Sequence, residues 1–347
     1  VNGGGMKIAF FELEGWEEPR LRREFVGQDL FLTREALTAE NARSVRDVEV
    51  ASVFIGSRVD RAVLDELPNL KAIVTRSAGV DHIDVEACRE RGVSVYNVPD
   101  YGPDTIAEHT LMLILMLARR VKELELALRK PEFKPVEVRG WELRGKTIGV
   151  VGTGRIGSRL AKLALALGMR ALAYDVVRNE ELERTHGVQY VDLDTLLSSS
   201  DVITLHLPLT PQTRYLINRG HIRKVKRGAL LVNTARGELV EVEALIEALD
   251  EGWLAGAALD VVEGEWVFSD AWRKAMNRAL DQDQHRKAVL ALKLASYPNV
   301  ILTPHVAYNT WEAVERIWDA VIAAVKKITE EPQAIAAPKN AAAVASG

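Results

Sequence analysis

A glycine-rich turn followed by a carboxylate carries the clearest chemical signal in the chain. Gly152, Gly154 and Gly157 have the spacing G-x-G-x-x-G directly after the β-branched run Thr147–Val151, and Asp175 ends the next apolar run. In that order, the first glycine permits a tight turn, the second lets a pyrophosphate approach the backbone, and the third lets a helix pack on the strand. The free N–H groups of the helix N-terminus would bind the phosphates. The sequence therefore predicts a dinucleotide-binding site.

The position of Asp175 predicts which dinucleotide binds. A carboxylate at the end of the second strand accepts hydrogen bonds from the ribose hydroxyls and repels a 2′-phosphate, which favours NAD over NADP. Val176 and Val177 offer no cation, whereas Arg178 is close enough in sequence to leave NADP as an alternative. Flavin and S-adenosylmethionine proteins use similar glycine turns, so the turn by itself does not decide the ligand.

Three further polar residues each follow an apolar run. Arg236 follows L-L-V-N-T-A, Glu265 follows G-A-A-L-D-V-V-E-G, and His305 follows I-L-T-P. A guanidinium can hold a carboxylate with two hydrogen bonds, an imidazole can protonate a carbonyl oxygen near neutral pH, and a carboxylate beside the imidazole raises its pKa. Separately, these residues are typical of a surface salt bridge, a solvated loop and a structural histidine. Together they favour hydride transfer to a carbonyl group.

Composition bounds the class of protein. The chain has 347 residues, a net charge of −4 and 48% hydrophobic residues. This length suits two domains, and the charge gives no reason to expect nucleic acid or an anionic membrane as a partner. No apolar run reaches the ~20 residues that a membrane helix needs. Cys88 is the single cysteine, which excludes disulfide frameworks and cysteine-based zinc sites, and we expect no metal. The start of the chain carries no secretory signal, so the predicted location is the cytoplasm.

Short β-branched runs alternate with helical segments along the chain, which is the pattern of doubly wound parallel sheets. The sequence predicts two such α/β units. The first contains strands near Lys7–Phe11, Asp29–Leu32, Val50–Ile55, Ala72–Thr75 and Val93–Tyr96. The second contains strands at Thr147–Val151, Arg170–Tyr174, Val188–Val191, Val202–Leu205, Ala229–Val232, Ala255–Leu259 and Val300–Leu302.

Two helical segments predict how the chain is divided between these units. In the segment Pro103–Leu128, the apolar residues from Ile106 to Leu117 nearly surround the helix axis, as expected of a long helix buried between domains. Trp311–Ile328 is amphipathic and is predicted to return to the first unit, whereas Glu331–Gly347 has too few large apolar residues to promise order. We therefore predict a discontinuous first domain, residues 1–101 with 308–347, and an NAD-binding domain, residues 102–307.

These features and several longer motifs resemble the D-isomer-specific 2-hydroxyacid dehydrogenase family, over the chain from Lys7 to about Ile328. The resemblance implies a Rossmann NAD-binding domain, a smaller flavodoxin-like catalytic domain and a homodimer. It also implies Arg236 as the substrate-binding arginine, His305 as the acid/base and Glu265 as the partner of that histidine. The motifs are R-S-A-G-V-D-H-I-D (Arg76–Asp84), N-V-P (Asn97–Pro99), I-A-E-H (Ile106–His109), L-R-G-K-T-I-G-V-V-G-T-G-R-I-G (Leu143–Gly157), H-L-P-L-T (His206–Thr210), N-T-A-R-G (Asn233–Gly237), L-D-V-V-E-G-E (Leu259–Glu265) and T-P-H (Thr303–His305).

The resemblance further implies which residues contact the cofactor and the substrate. Asp260 would face the nicotinamide, although a turn-forming role is equally typical of an aspartate at the end of a strand. The loop Ser77–Gly79, with Ala78 and Gly79, would offer backbone N–H groups to the substrate carboxylate, across a cleft from Arg236. The implied NAD contacts are Gly152, Gly154, Arg155, Ile156, Gly157, Asp175, His206, Pro208, Thr213, Thr234 and Asp260.

Within the family, the chain is most similar to the D-lactate dehydrogenase branch, because H-V-A-Y-N-T (His305–Thr310) is typical of that branch. Tyr101 and Tyr308 would enclose a small apolar pocket for a methyl group, which favours pyruvate and D-lactate as the substrate pair. Glyoxylate, hydroxypyruvate or a bulkier 2-oxo acid are the alternatives. The same fold also serves an NAD-sensing transcriptional corepressor, a function that the complete catalytic set disfavours.

The segment between Glu265 and His305 is longer than is usual in the family. It contains Trp266, Phe268 and Trp272. We expect this segment to cover the cleft or to contact a second subunit.

Overall fold

The computed structural model describes residues 5–129, 132, 134–268 and 281–330. In it, the chain divides into two compact units. The first unit comprises residues 1–102 and 310–347, and the second comprises residues 103–309. The predicted borders, after residues 101 and 307, fall next to these bounds.

The first unit contains an all-parallel sheet, which among the described residues has five strands in the order β2-β1-β3-β4-β5. β3 and β4 are buried along their whole length, because helices cover both faces of a parallel sheet. The strands are β1 (Lys7–Phe10), β2 (Asp29–Leu32), β3 (Val50–Val53), β4 (Ala72–Thr75) and β5 (Ser94–Tyr96), and the helices that follow them in the first part of the chain are α1 (Glu17–Glu24), α2 (Ala39–Ala42), α3 (Arg61–Asp65) and α4 (Val85–Glu90).

β3 ends two residues before the predicted Ile55, and the cause is a side chain. The Glu12 carboxylate accepts hydrogen bonds from the backbone N–H groups of Phe54 and Gly56, both at 2.8 Å. These donors are therefore taken from the strand ladder. Glu12 itself has a left-handed backbone, with φ of 54°.

The second unit contains a larger all-parallel sheet, with seven strands among the described residues, in the order β12-β11-β10-β9-β6-β7-β8. Alternate residues of β10 enter two different hydrophobic clusters, so the sheet is covered on both faces. The two predicted doubly wound sheets are thus confirmed. The strands are β6 (Thr147–Val151), β7 (Arg170–Tyr174), β8 (Gln189–Tyr190), β9 (Val202–Leu205), β10 (Ala229–Asn233), β11 (Leu254–Leu259) and β12 (Val300–Leu302).

The prediction of one long helix over Pro103–Leu128 is wrong, because this segment forms two helices. α5 (Pro103–Ala118) and α6 (Val121–Ala127) are separated at Arg120, whose φ is 55°. The break has a tertiary cause: the Trp141 N–H donates to the Ala118 carbonyl at 3.0 Å and so replaces the donor that would continue α5.

The other helices of the second unit complete its two layers. They are α7 (Arg155–Ala166), α8 (Glu180–His186), α9 (Leu193–Ser199), α10 (Arg219–Ile222), α11 (Val242–Asp250) and α12 (Gln282–Ser296). In the segment between Glu265 and His305, Glu265–Phe268 form a 3-10 turn, and Trp272 lies outside the described residues.

The last described helix, α13 (Trp311–Glu330), packs against β4 of the first unit. Its Trp318 is 2% exposed, and the indole N–H donates to the Glu17 carboxylate at 2.7 Å. Phe10 packs against the same indole. Both ends of the chain therefore build the first unit. The helices of the described residues are each too short or too polar to cross a bilayer.

Candidate active site

The residues that could do chemistry in the second unit gather at one edge of its sheet. Strands of a parallel sheet all end at the same edge, and ligands bind there where the strand order reverses. That reversal lies between β6 and β9. The glycine turn follows β6, Asp175 follows β7, and Arg236, Glu265 and His305 follow the adjacent strands β10, β11 and β12.

His305 and Glu265 form a direct pair. The imidazole Nδ1 lies 2.7 Å from the Glu265 Oε1, and the two side chains are 34% and 33% exposed. Burial by itself lowers the pKa of His305, but the hydrogen bond and the charge of Glu265 outweigh it, with a further contribution from Asp260. The net pKa lies above the ordinary value of a histidine, even though the nearby Arg236 opposes the rise. The imidazole is therefore kept charged over a wider pH range.

Asp260 holds the turn that carries His305. His305 has a φ of 55°, a strained region for a residue with a side chain. The Asp260 carboxylate accepts the backbone N–H groups of Val306 and Ala307, both at 2.9 Å, and the hydroxyl of Thr303 at 2.5 Å. The His305 N–H donates to the Asp260 carbonyl at 2.9 Å. These four hydrogen bonds stabilise a left-handed backbone that a histidine does not favour by itself.

Asn233 does the same for the turn of Arg236. Its side-chain amide donates to the Arg236 carbonyl at 2.8 Å, and its Oδ1 accepts the Ala235 N–H at 3.0 Å. Asn233 is 1% exposed. Sequence reasoning assigned it no role, although a polar residue at the end of an apolar strand is a signal for such a contact. The Arg236 guanidinium is close enough to act on the His305 pKa.

The glycine turn has the geometry that a bound pyrophosphate requires. Gly152 has a φ of 97°, and a Cβ there would meet the His206 carbonyl oxygen at 2.9 Å. A Cβ on Gly157 would overlap the Gly152 carbonyl, so α7 can begin directly against the turn only without one. Gly154 is exposed with open space above its Cα. Arg155 and Ile156 are the first two residues of α7, which begins directly after the turn. This cradle fits a dinucleotide.

The surroundings of Asp175 fit a ribose without a 2′-phosphate. Asp175 accepts the Thr153 N–H at 2.6 Å and so lies beside the glycine turn. Arg178, the cation that left NADP open, is engaged elsewhere: its guanidinium lies over the Tyr190 ring at 5.6 Å and 3.5 Å from Glu183. The carboxylate is therefore the charge that a 2′-substituent would meet.

The remaining predicted cofactor residues of the second unit follow β9 and β10. The Thr213 hydroxyl donates to the Pro208 carbonyl at 2.6 Å and closes that loop. Thr234 is 8% exposed and its hydroxyl pairs with that of Thr110 at 2.9 Å. Desolvation lowers the pKa of His206 to about 3, so this imidazole stays neutral.

Three predicted substrate residues belong to the first unit. Asn97 donates to the Ala78 carbonyl at 2.6 Å, and the Ser77 hydroxyl donates to the Gly79 carbonyl at 2.7 Å. The loop carbonyls are thus tied back, while within the described residues the N–H groups of Ala78 and Gly79 donate to no acceptor. The Tyr101 carbonyl accepts from Arg316 at 2.7 Å. Tyr308 belongs to the second unit, in the turn after His305.

Comparison with known proteins agrees with this arrangement. Residues 111–307 match the family model of the D-isomer specific 2-hydroxyacid dehydrogenase, NAD binding domain. The chain belongs to the D-isomer-specific 2-hydroxyacid dehydrogenase family. The protein is therefore an NAD-dependent oxidoreductase, and the matched residues lie in the second unit.

Individual members of the family carry different names. A glyoxylate reductase from Thermofilum pendens is 40% identical over 80% of this chain and 77% of that protein. A D-specific alpha-keto acid dehydrogenase from Enterococcus faecalis is 42% identical over 80% of this chain and 82% of that protein. The crystal structure of the Aquifex aeolicus D-lactate dehydrogenase, complexed with NAD and lactic acid, superposes with a TM-score of 0.86 at 36% identity and covers 95% of this chain and 97% of that chain.

Proposed function

We propose that this dehydrogenase reduces small 2-oxo acids to D-2-hydroxy acids with NADH, and that pyruvate, giving D-lactate, is its preferred substrate. The observation that carries this proposal is the 2.7 Å contact between His305 and Glu265, together with the raised pKa of the imidazole. A charged imidazole at the strand edge that also carries Arg236 suits the protonation of a carbonyl oxygen next to a carboxylate.

Each of the three residues then has a separate task. Arg236 binds the substrate carboxylate through two parallel hydrogen bonds, because a planar guanidinium matches it. When bound, NADH supplies the hydride for the carbonyl carbon. His305 donates the proton at Nε2 to the carbonyl oxygen, since Nδ1 faces Glu265, and it becomes neutral. Glu265 keeps the imidazole oriented and charged before that step. In the reverse direction, neutral His305 accepts the hydroxyl proton.

The NAD contacts are part of the same proposal. The cradle of Gly152, Gly154 and Gly157 holds the pyrophosphate, Arg155 and Ile156 border it, and Asp175 binds the ribose hydroxyls. The rest of the nucleotide is contacted by residues that follow β9, β10 and β11, namely His206, Pro208, Thr213, Thr234 and Asp260. Asp260 has a second task, since its carboxylate already accepts three hydrogen bonds from the turn of His305.

The choice of pyruvate depends on four proposed substrate residues: Tyr101 and Tyr308 for the methyl group, and Ala78 and Gly79 for the carboxylate. It is supported by the 36% identity to the Aquifex aeolicus D-lactate dehydrogenase. Glyoxylate is the second candidate, because the Thermofilum pendens relative named glyoxylate reductase is 40% identical. Hydroxypyruvate and bulkier 2-oxo acids complete the set to be tested.

A panel of 2-oxo acids tests the proposal. Purified protein is assayed by NADH absorbance with pyruvate, glyoxylate, hydroxypyruvate and 2-oxoisocaproate, and each acid is repeated with NADPH. We expect the highest kcat/KM for pyruvate with NADH, and a product that a chiral column identifies as D-lactate. A higher kcat/KM for glyoxylate would transfer the assignment to the second candidate. Formation of the L-isomer, or no turnover of any acid, would contradict the proposal.

The homodimer and the cytoplasmic location stay predictions. Sedimentation equilibrium of the purified chain measures the first: a mass of twice the 38.4 kDa chain is expected. A monomer at micromolar concentration would contradict it.

A further inference from the structure

A buried carboxylate lies next to the catalytic pair and is not used by the proposed mechanism. Glu263 is 7% exposed. The Tyr215 hydroxyl lies 3.0 and 2.9 Å from its two carboxylate oxygens, while Arg214 lies at 3.4 Å and Lys287 at 3.2 Å. A buried charge needs such compensation, because desolvation without it is costly. The cluster formed by Glu263, Tyr215, Arg214 and Lys287 joins residues from three separate parts of the second unit.

Glu263 and Glu265 belong to one tight turn. Only Gly264 lies between them, with a φ of 90°, and a Cβ there would meet the Lys287 carbonyl oxygen at 2.7 Å. The Glu265 Oε2 accepts the Val262 N–H at 2.9 Å, so the carboxylate that contacts His305 is bound to its own turn. Glu263 and the Glu265 carboxylate are therefore held in the same short turn.

The backbone of Glu263 also packs against the turn that carries Arg236. Gly237 follows Arg236, and a Cβ on Gly237 would come within 2.5 Å of the Glu263 backbone nitrogen. Tyr215 also contacts both turns: its N–H donates to the Glu238 carbonyl at 2.7 Å, while its hydroxyl binds Glu263. Tyr215 has a φ of 52°, which indicates that tertiary contacts, and not its local preference, fix its backbone.

We propose that Glu263 is a positioning residue which, together with Tyr215, fixes the spacing between Arg236 and the pair of Glu265 and His305. The inference rests on the proposed function, because the spacing matters only if Arg236 and His305 bind the same small acid. Glu263 itself touches neither substrate nor cofactor in this scheme. Its effect passes through the two turns that meet at its backbone.

The charges around both groups determine what a substitution does. Glu263 faces Arg214, Tyr215 and Lys287, and Lys287 also pairs with Asp283 of α12 at 2.6 Å. His305 faces Glu265, Asp260 and Arg236. Glu263→Gln keeps the shape and an acceptor for Tyr215 but removes the charge between two cations. We expect the turns of Arg236 and Glu265 then to separate and Glu265 to move away from His305. Because Glu265 is the main group that raises the His305 pKa, that pKa should fall.

The test compares Glu263→Gln with a matched control, Asp201→Asn. Asp201 also pairs with a lysine, Lys226 at 2.7 Å, and accepts the Thr147 N–H at 2.8 Å, but it precedes β9 at the opposite edge of the same sheet. For Glu263→Gln we expect kcat with pyruvate to fall about tenfold to hundredfold and the NMR-measured pKa of His305 to fall by about half a unit to one unit. NADH affinity should stay unchanged. Asp201→Asn should change neither kcat nor the His305 pKa.

Tyr215→Phe provides a second variant if Glu263→Gln does not fold. It removes the hydroxyl that both Glu263 oxygens contact, and it should shift the His305 pKa in the same direction by a smaller amount. In the double variant the shift of the His305 pKa should be smaller than the sum of the two single shifts, because both residues act on the same turns.

The outcomes separate this inference from the proposed function. A wild-type protein without turnover of any 2-oxo acid would contradict the function, but the NMR titration would still decide on Glu263. A His305 pKa that falls in Glu263→Gln and not in Asp201→Asn supports the positioning role. An unchanged His305 pKa in Glu263→Gln and in Tyr215→Phe overturns it, even if both variants lose thermal stability.

Discussion

Two histidines at the same edge of the larger sheet differ in the pKa of their imidazoles. His206 follows β9 and His305 follows β12. Burial lowers the pKa of both imidazoles, and for His206 it lowers it to about 3. His305 differs because Glu265 lies 2.7 Å from its Nδ1, and its pKa is raised instead. A carboxylate partner, and not exposure, therefore decides which histidine can carry a proton near neutral pH.

The contrast extends to the regions around them. On the His206 side, the proposed pyrophosphate site is built from glycines and backbone, where shape decides what fits, and Asp175 is the charged residue proposed to meet the ribose. On the His305 side, Asp260, Glu265 and Arg236 form a network of charges, where protonation decides what happens. Nucleotide binding and proton transfer should therefore fail separately when each side is changed.

The largest expected effect comes from His305→Ala. Without the general acid, kcat for 2-oxo acid reduction should fall by about 10²-fold to 10⁴-fold, while the dissociation constant of NADH, measured by fluorescence titration, stays the same. His206→Gln is the comparison: it should leave the pH dependence of kcat unchanged, because His206 does not titrate near neutral pH. Near-normal turnover of His305→Ala would remove that residue from the acid role.

Next in size is the effect of alanine in the glycine turn. Gly157→Ala forces the first turn of α7 away from the Gly152 carbonyl, and it should weaken NADH binding about tenfold to hundredfold and lower the Tm, as overpacking costs about 1–3 kcal/mol. Gly154→Ala is the matched variant, since its Cβ meets no protein atom within 4 Å. It should weaken NADH binding with an unchanged Tm. Wild-type NADH affinity in Gly154→Ala would contradict the assignment of the pyrophosphate to this turn.

A shift of the pH profile is the third expected effect. Reduction needs charged His305, so kcat/KM for the 2-oxo acid stays high below the His305 pKa and falls as pH rises through it. Glu265→Gln removes the charge that raises this pKa, and the alkaline limb should move to lower pH by about one unit. Oxidation of the hydroxy acid needs neutral His305. In Glu265→Gln its acidic limb should therefore also move to lower pH. A limb that does not move would show that another group titrates.

The smallest expected effect concerns coenzyme choice. Asp175→Ala removes the carboxylate that meets the ribose, and the ratio of kcat/KM with NADH to that with NADPH should fall by about tenfold, as for the loss of one charged hydrogen bond. Arg178→Ala is the control, because its guanidinium is engaged with Tyr190 and Glu183. A ratio unchanged in Asp175→Ala would contradict the ribose contact.

Much of the fold follows from local patterns. Strands such as Thr147–Val151, Arg170–Tyr174 and Val202–Leu205 have the predicted bounds, because a strand of a covered parallel sheet is a short, mostly apolar run whatever it packs on. The glycine turn and its aspartate are equally local. Errors arose where a distant group took a backbone partner, as Trp141 did at the end of α5.

The sequence by itself determined the two sheets, the glycine turn and the identity of Arg236, Glu265 and His305 as candidates, because each depends on neighbours within a few residues. Only the tertiary structure decided which groups support them. Asp260 holds the turn of His305, Asn233 holds that of Arg236, and Glu263 meets Tyr215, whose position in the chain is 48 residues away. Such contacts depend on which strands become neighbours in the sheet. That order is set by the packing of whole layers, which no local pattern encodes.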